Sequence, residues 1–439
     1  MLIVGAGLAG SLLATALARL GYRVGLYERR PDPRTRGYEG GRSINLALSV
    51  RGIVALTRLG LHEAVLRDAI AMPGRMIHDP NGRLAFQPYS KDRDQAINSV
   101  SRGGLNLTLL RAAGDQPNVE LFFSHRCVDV DMEAPAALFE DEANPGRGTI
   151  RVEADLVIGA DGAFSPVRAR LQKTDRFDFS QTYLEHGYKE LHIPPTATGE
   201  FAMEPRALHI WPRGGSMMIA LPNPDRSFTC TLFWPFRGEH AFESLDTPDK
   251  VEGFFRRHYP DAVPLMPSLA EDYLRRPASS LATVRCWPWQ HAGKVVVLGD
   301  AAHAIVPFFG QGMNCAFEDC SDLVDLLEAH QGDIPRALAE FQTLRKPNAD
   351  AIADLALENF VEMRDKVQSR WFRLKKAGGH ALHALLPGWY LPLYSMVSFS
   401  TIPYAQARAR ARRQSAILRT ATAAAALMGG IVAWWLARR

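Results

Sequence analysis

Cysteine is scarce in this chain. Five residues among 439 are cysteine, namely Cys127, Cys230, Cys286, Cys315 and Cys320, and no CxxC pair occurs. An odd count without periodic spacing argues against a disulfide framework and for reduced thiols in a reducing compartment. No His/Cys/Asp cluster has metal-site spacing, no G-x-S-x-G elbow appears, and no internal repeat is found. A large excess of one charge is also missing, the net value being +4. Even that surplus belongs to the tail, where Arg408, Arg410, Arg412, Arg413, Arg419, Arg438 and Arg439 follow Ala405 without an acid or a lysine. Without those arginines the body is mildly acidic, so no nucleic-acid footprint is expected. The first hydrophobic run has no basic leader, so no signal peptide is expected; either its strand is short or the true start lies upstream of Met1.

What remains is ordinary globular composition, 47% hydrophobic and 22% charged, which excludes wholesale disorder, a collagen-like fibre and a multi-span membrane protein. The length suits about three units, with cores that need no staples.

The opening reads as a βαβ unit: a strand at Leu2–Val4, a glycine turn, a helix to about Leu20 and a second strand at Tyr22–Tyr27. The acidic stretch Glu133 to Gly148 reads as a surface hairpin or loop. Ser216–Leu221 and Phe228–Trp234 read as an antiparallel meander, the second alternating Phe228, Cys230, Leu232 and Trp234. Lys294–Leu298 is a continuous apolar run, as in a buried parallel strand. Gln311 to about His383 is mostly helical.

Gly5-Ala6-Gly7-Leu8-Ala9-Gly10 is a GxGxxG between strand and helix, a turn that brings backbone N–H groups and a helix dipole to a pyrophosphate. Glu28 ends the second strand eighteen residues past Gly10, where a carboxylate can accept from ribose hydroxyls, and Arg29 follows it. An acid there favours FAD or NAD over NADP. A second strand ends in Gly159-Ala160-Asp161-Gly162, with Arg168 shortly after. A third ends in Gly299-Asp300-Ala301-Ala302-His303 and leads to Pro307-Phe308-Phe309-Gly310-Gln311-Gly312-Met313-Asn314. Asp300 can accept from ribityl hydroxyls, and the Gly310–Asn314 turn offers N–H groups to a flavin's pyrimidine edge. Taken singly, either aspartate reads as a helix cap. Taken together and in order, the three patterns resemble the hallmark motifs of the single-component, class A flavoprotein aromatic hydroxylases.

Longer strings narrow the resemblance. Gly41-Arg42-Ser43-Ile44-Asn45-Leu46-Ala47-Leu48-Ser49, Ser99-Val100-Ser101-Arg102, Phe201-Ala202-Met203-Glu204-Pro205 and Leu208-His209-Ile210-Trp211-Pro212 are similar to the kynurenine 3-monooxygenase family, from Leu2 to about Tyr404. The resemblance implies NADPH- and O₂-dependent hydroxylation of L-kynurenine to 3-hydroxy-L-kynurenine through a flavin C4a-hydroperoxide, with FAD bound and NADPH as cosubstrate, in tryptophan catabolism. It implies that Arg75, Tyr89, Asn359 and Tyr394 hold the amino-acid end of the substrate. Glu362, at i+3 from Asn359, can meet its ammonium, and Phe308 and Phe309 wall the ring. Around FAD it implies Gly5, Gly7, Leu8, Gly10, Glu28, Arg29, Arg42, Ala47, Arg102, Asp300, Gly312, Met313 and Asn314. No residue is assigned a catalytic acid or base role, because the flavin carries the chemistry; His303 belongs to the fold-wide motif. Phe360 stands where some relatives have tyrosine. No NADPH site is located.

The expected fold is α/β: a Rossmann-like FAD-binding domain (1–70, 99–175 and 283–330) with an inserted antiparallel β-sheet substrate domain (71–98 and 176–282), a C-terminal helical region (331–404) and a basic, hydrophobic tail (405–439). In the tail, Thr420–Leu436 is uncharged over about 25 Å, short of a ~30 Å hydrocarbon core. Upstream arginines and Trp434-Trp435 resemble interfacial anchors. A membrane-anchored or membrane-lying helix on a cytoplasm-facing protein is therefore expected; a helix packed on the body or a partner is the alternative, and a homodimer stays open. The rival functions are an FAD monooxygenase for another aromatic substrate, a flavin-dependent halogenase, or a flavin-binding membrane protein without turnover. Cys286-Trp287-Pro288-Trp289-Gln290 lacks the Ile-Pro that a halogenase motif requires.

Overall fold

Three short apolar runs, Leu2–Val4, Val157–Gly159 and Val295–Val297, are buried at every position, an environment that the interior of a parallel sheet provides. In the computed structural model, which describes residues 1–36, 45–90, 92, 94–146, 148–366, 386 and 388–437, they lie in one six-stranded sheet. Its order is Gln290–His291, Val295–Val297, Val157–Gly159, Leu2–Val4, Val24–Tyr27, Val119–Phe122. All neighbours run parallel except the first pair. Helix Leu8–Arg19 packs against Arg102–Gly114 and Gly312–Ala329, with Leu12, Leu13, Leu17, Leu109 and Phe317 in the core between them and the sheet.

The second large sheet has seven strands, ordered Ser279–Trp287, Asp178–Ile193, Phe228–Pro235, Met217–Pro222, Leu208–Pro212, Gly74–His78, Leu84–Pro88. Only Leu208–Pro212 and Gly74–His78 pair in parallel. Alternation along Phe228–Pro235 separates two cores rather than core from solvent. Phe228, Cys230, Leu232 and Trp234 pack with Val251, Phe255 and Tyr273, which belong to helices Pro248–His258 and Leu269–Arg275. Phe233 packs on the other face with Ile210, Met217 and Phe308.

The stretch Glu133 to Gly148 holds a strand, Ala136–Asp141, central in a three-stranded antiparallel sheet with His125–Asp131 and Thr149–Glu153. Buried Phe139 anchors it by stacking on Tyr27 at 4.3 Å. Helix Ile334–Val361 widens into a π-helical turn over Glu362–Lys366. The expected helical segment from 367 to His383 lies outside the described residues. The five cysteines are free and buried.

The tail corrects one expectation. Tyr404–Ala437 is a single helix whose first turns dock on the body: Tyr404, Ala407 and Gln414 are buried, and Arg408 pairs with Asp354 and Glu358. Beyond Gln414 its described side chains are largely exposed, Leu427, Trp434 and Trp435 among them. No helix among the described residues is long and apolar enough to cross a membrane. Alanine, glycine and threonine bury little apolar surface, and arginines interrupt the approach, so a spanning anchor is not supported.

Candidate active site

The glycine turn is built from three glycines with different constraints. Gly5 has φ +101°, and a Cβ there would stand 2.6 Å from the Ala160 carbonyl oxygen. At Gly10 a Cβ would lie 1.9 Å from the Gly5 carbonyl oxygen, so side chains at either position would break the fold. At Gly7 a Cβ would meet nothing within 4 Å. The first two let the turn close, and the third faces open space at the start of helix Leu8–Arg19. The Glu28 carboxylate accepts from the amides of Ala6 and Arg30, both at 3.0 Å.

That open space belongs to a cavity of about 490 Å³. Gly7, Leu8, Ala47, Arg102, Asp300, Gly312 and Met313 line it, and so do Arg75, Tyr89, Phe308, Phe309 and Tyr394. The two groups meet at the turn Pro307–Phe309 and Gly310. Gly310 has φ +66°, and a Cβ there would press on Ala47 Cβ at 2.8 Å. Asp300 lines this cavity and is solvent-accessible. Burial raises its pKa, against the opposing charges of Arg102 and His303. Arg102 stands at the first position of helix Arg102–Gly114, which Ser101 caps by accepting from the Gly104 amide. A cation at a helix N-terminus is unfavourable on its own, so this corner of the cavity calls for an anion.

Arg75 comes from strand Gly74–His78, beside Leu208. It is 4% exposed, and its Nε and Nη1 have no hydrogen-bond partner among the described residues. Its guanidinium lies 5.3 Å from the Tyr89 ring and 5.1 Å from that of Tyr394. Burial opposes its charge, but Tyr89, Tyr394 and Glu362 together outweigh that and raise its pKa. Burial and the neighbouring Tyr89 push the Tyr394 phenol well above its ordinary pKa, so it stays a hydrogen-bond donor. A buried guanidinium with unused donors, flanked by phenols and open to a cavity, is built to receive a carboxylate.

Not every expected residue faces this space. Asn359 donates through Nδ2 to the Phe308 carbonyl at 2.6 Å and to Met363 Sδ at 3.4 Å, bracing the wall from behind. Glu362 begins the π-helical turn and acts on Arg75 through its charge. Phe360 stacks behind Phe308 with centroids 4.2 Å apart. Asn314 is fully buried: it donates to the carbonyls of Ala47 (2.8 Å) and Gly310 (2.9 Å) and accepts from the Ser49 amide (3.0 Å). It therefore shapes the turn. Gly5, Gly10 and Glu28 act through the backbone of their loop, Arg29 is exposed outside the cavity, and Arg42 lies outside the described residues.

Sequence reasoning passed over much of the wall. Met72, Met217, Ile219, Leu221, Phe233 and Met363 also line the cavity. The sequence of Phe228–Pro235 carries little signal, because of the positions between the alternating apolar residues only Phe233 is apolar, the others being Thr229 and Thr231. A polar core was also missed. His303, Cys315 and Asp319 bring ligand atoms within 4.8 Å of one another. Arg345 occupies that cluster, its Nε 2.7 Å from Asp319 Oδ1, and burial raises the Cys315 thiol pKa well above normal. Asp319 also accepts from the Gly299 amide, so the group fixes the turn that presents Asp300.

A family model described as an FAD binding domain matches residues 1–356. Kynurenine 3-monooxygenase of Myxococcus xanthus (strain DK1622) is 51% identical over 403 residues, 92% of this chain and 86% of the relative. The chain belongs to the kynurenine 3-monooxygenase family. Family members from Anopheles gambiae (47% identity, 95% of this chain and 85% of the relative) and Sus scrofa (44%, 95% and 88%) agree. Among solved structures, the tetrameric form of 2-methyl-3-hydroxypyridine-5-carboxylic acid oxygenase superposes with TM-score 0.68 at 21% identity, covering 87% of this chain and 95% of that one. PqsL of P. aeruginosa in complex with 2-aminobenzoylacetate gives 0.66 at 23%, covering 83% and 96%. These last two share the fold. The residues present fit FAD: Gly7 leaves the room that a pyrophosphate needs, Asp300 opens into the cavity, and Arg102 supplies a cation.

Proposed function

We propose that this chain hydroxylates L-kynurenine to 3-hydroxy-L-kynurenine with NADPH and O₂, and that one observation carries the reading: Arg75, buried with unused donors, opens into the same cavity as Gly7 and Asp300. In this reading Gly7, Leu8, Ala47, Arg102, Asp300, Gly312 and Met313 hold FAD, with Asn314 shaping their turn. When bound, FAD supplies electron transfer from NADPH to O₂ and the activated oxygen. The chain's own part is placement. Arg75 pairs with the substrate carboxylate, Tyr89 and Tyr394 donate to it, and Glu362 offsets the ammonium. Phe308 and Phe309, braced by Asn359 and Phe360, wall the aromatic ring. The apolar lining from Met217, Ile219, Leu221 and Phe233 excludes water from the reacting centre.

The six-stranded sheet with its helices serves as the FAD-binding part, and the seven-stranded sheet as the substrate part. The exposed half of Tyr404–Ala437 lies on a membrane surface rather than crossing it, with Arg412, Arg413 and Arg419 toward lipid headgroups, and the body faces the cytoplasm. Homodimerisation through the same exposed half is the second reading, favoured by its exposed Leu427 and Trp434.

The test is NADPH consumption and product mass on the FAD-loaded protein. Kynurenine-dependent oxidation with a product heavier by one oxygen is expected. Stimulated oxidation yielding only hydrogen peroxide would make kynurenine an effector and another aromatic acid the substrate, and no stimulation would refute the reading.

A further inference from the structure

Arginine is rarely buried completely unless its charge and its donors are all engaged. Arg51, in helix Val50–Arg58, is 2% exposed and does not line the cavity. Its Nε donates to the Val397 carbonyl at 2.8 Å, and Nη2 donates to the carbonyls of Met396 (3.2 Å) and Ile402. Nη1 pairs with Glu318 of helix Gly312–Ala329 at 2.5 Å, and the guanidinium stands 3.9 Å over the ring of Tyr404.

All three carbonyls belong to one short segment. Met396 and Val397 close the six-residue helix Leu393–Ser398, whose last carbonyls have no partner inside the helix. A cation is favourable there, and a planar fork can serve several acceptors at once. Tyr394 sits in the first turn of that same helix. Tyr404 in turn donates its hydroxyl to Gln311 Oε1 at 2.9 Å, and Gln311 directly precedes Gly312 in the cavity wall. Arg51 thus ties the segment that presents Tyr394 to the turn that presents Gly312 without itself lining the cavity.

We propose that Arg51 is a positioning residue: by capping Leu393–Ser398 and seating Tyr404, it holds Tyr394 in its stack with Tyr89 and against Arg75, and so sets the seat of the substrate carboxylate. The identity of that substrate rests on the function proposed above; the mechanical link does not. Lysine at this position would keep the charge opposite Glu318 but could not reach the three carbonyls from a single ammonium.

The experiment uses the full FAD-loaded chain as Arg51→Lys and as Tyr404→Phe, each alone and with Tyr394→Phe. Tyr404→Phe keeps the ring under the guanidinium, so the question stays answerable should the first variant fail to fold. Two quantities are read: hydrogen exchange of peptides spanning 393–404, and the Kd for L-kynurenine. Arg51→Lys is expected to speed exchange in 393–404 while 208–235 stays protected, and to weaken kynurenine binding about 10-fold. Tyr404→Phe moves both in the same direction by less. In the Tyr394→Phe background the penalty of Arg51→Lys shrinks to about 3-fold or below, because the two act as one unit. Unchanged exchange in 393–404, acceleration spread over the whole chain with Kd intact, or a penalty that persists without the Tyr394 hydroxyl would each overturn the proposal. A wild-type protein that does not bind kynurenine refutes the functional reading instead, and the exchange pattern alone then decides whether Arg51 holds the segment.

Discussion

Tyr89 and Tyr394 stack with ring centroids 4.7 Å apart and planes within 14°, and Arg75 lies within 5.3 Å of both rings. One tyrosine follows the strand hairpin that contains Arg75 and the other comes from near the C-terminus, so the site exists only when the chain is fully folded. The stack limits where the guanidinium can go, and Nε and Nη1 are buried without a hydrogen-bond partner among the described residues. In the function proposed above, an incoming carboxylate would meet donors already desolvated and oriented.

Arg75→Ala should raise KM for kynurenine about 100-fold, the scale of a lost charged hydrogen-bond pair of ~2–3 kcal/mol, with a smaller change in kcat. Arg75→Lys should recover only part of this, because an ammonium cannot pair bidentately. Steady-state NADPH oxidation with product quantification checks both. An unchanged KM in Arg75→Ala would remove Arg75 from the substrate site.

Gly7 and Gly10 should separate ligand binding from folding. A Cβ at Gly7 meets nothing, so Gly7→Ala should melt like wild type without FAD yet bind FAD about 10-fold or more weakly. Gly10→Ala, blocked at 1.9 Å by the Gly5 carbonyl, should lose stability before any ligand is added. Thermal melts of the flavin-free proteins and flavin fluorescence titrations read the two effects apart.

Asn359→Ala should act mainly through the wall. It strips the buried Phe308 carbonyl of its donor, a loss of about 1–3 kcal/mol, so the melting temperature should fall along with coupling of NADPH oxidation to product. A rise in KM with unchanged stability would instead put Asn359 in direct contact with substrate.

Acid should weaken the seven-stranded sheet at one identifiable place. His78 bridges Asp261 and His209 (2.5 and 2.8 Å), and His209 also reaches the Glu204 carbonyl. Burial first, and then the neighbouring His78, lower the His209 pKa to about 4. Below about pH 6.5 the unfolded chain binds a proton on this imidazole that the folded chain refuses, so stability present above that pH is lost progressively toward pH 4. The full effect is up to about 3 kcal/mol. Urea midpoints of wild type and His209→Gln across pH 4–8 should show a shallower acid slope in the variant; parallel slopes would refute this.

Truncation after Gln414 tests the tail. The docked turns of Tyr404–Ala437 are kept, so kynurenine turnover and melting temperature should stay near wild type, while sedimentation with anionic vesicles should be lost. If wild type does not sediment with vesicles, the second reading, self-association, is checked by its mass in solution.

The amino-acid order alone carried the parts of this protein that depend on neighbours in the chain. The spacing of Gly5, Gly7 and Gly10, the acid at Glu28 and the strand-end aspartates Asp161 and Asp300 are local demands of a turn and a strand, so they can be read as text. The apolar runs Leu2–Val4 and Val295–Val297 disclosed their burial for the same reason. Folding in three dimensions settled what depends on distant neighbours. It gave the side chains of Asn359 and Asn314 partners from distant segments, the carbonyls of Phe308 and Ala47. It buried both faces of Phe228–Pro235, a strand whose alternation suggested one, because Phe308 and the cavity wall cover the second face. It set Arg345 among His303, Cys315 and Asp319, and Arg51 at the end of Leu393–Ser398. Such pairings are fixed by packing and by the need to satisfy buried charge, and no spacing along the chain records them.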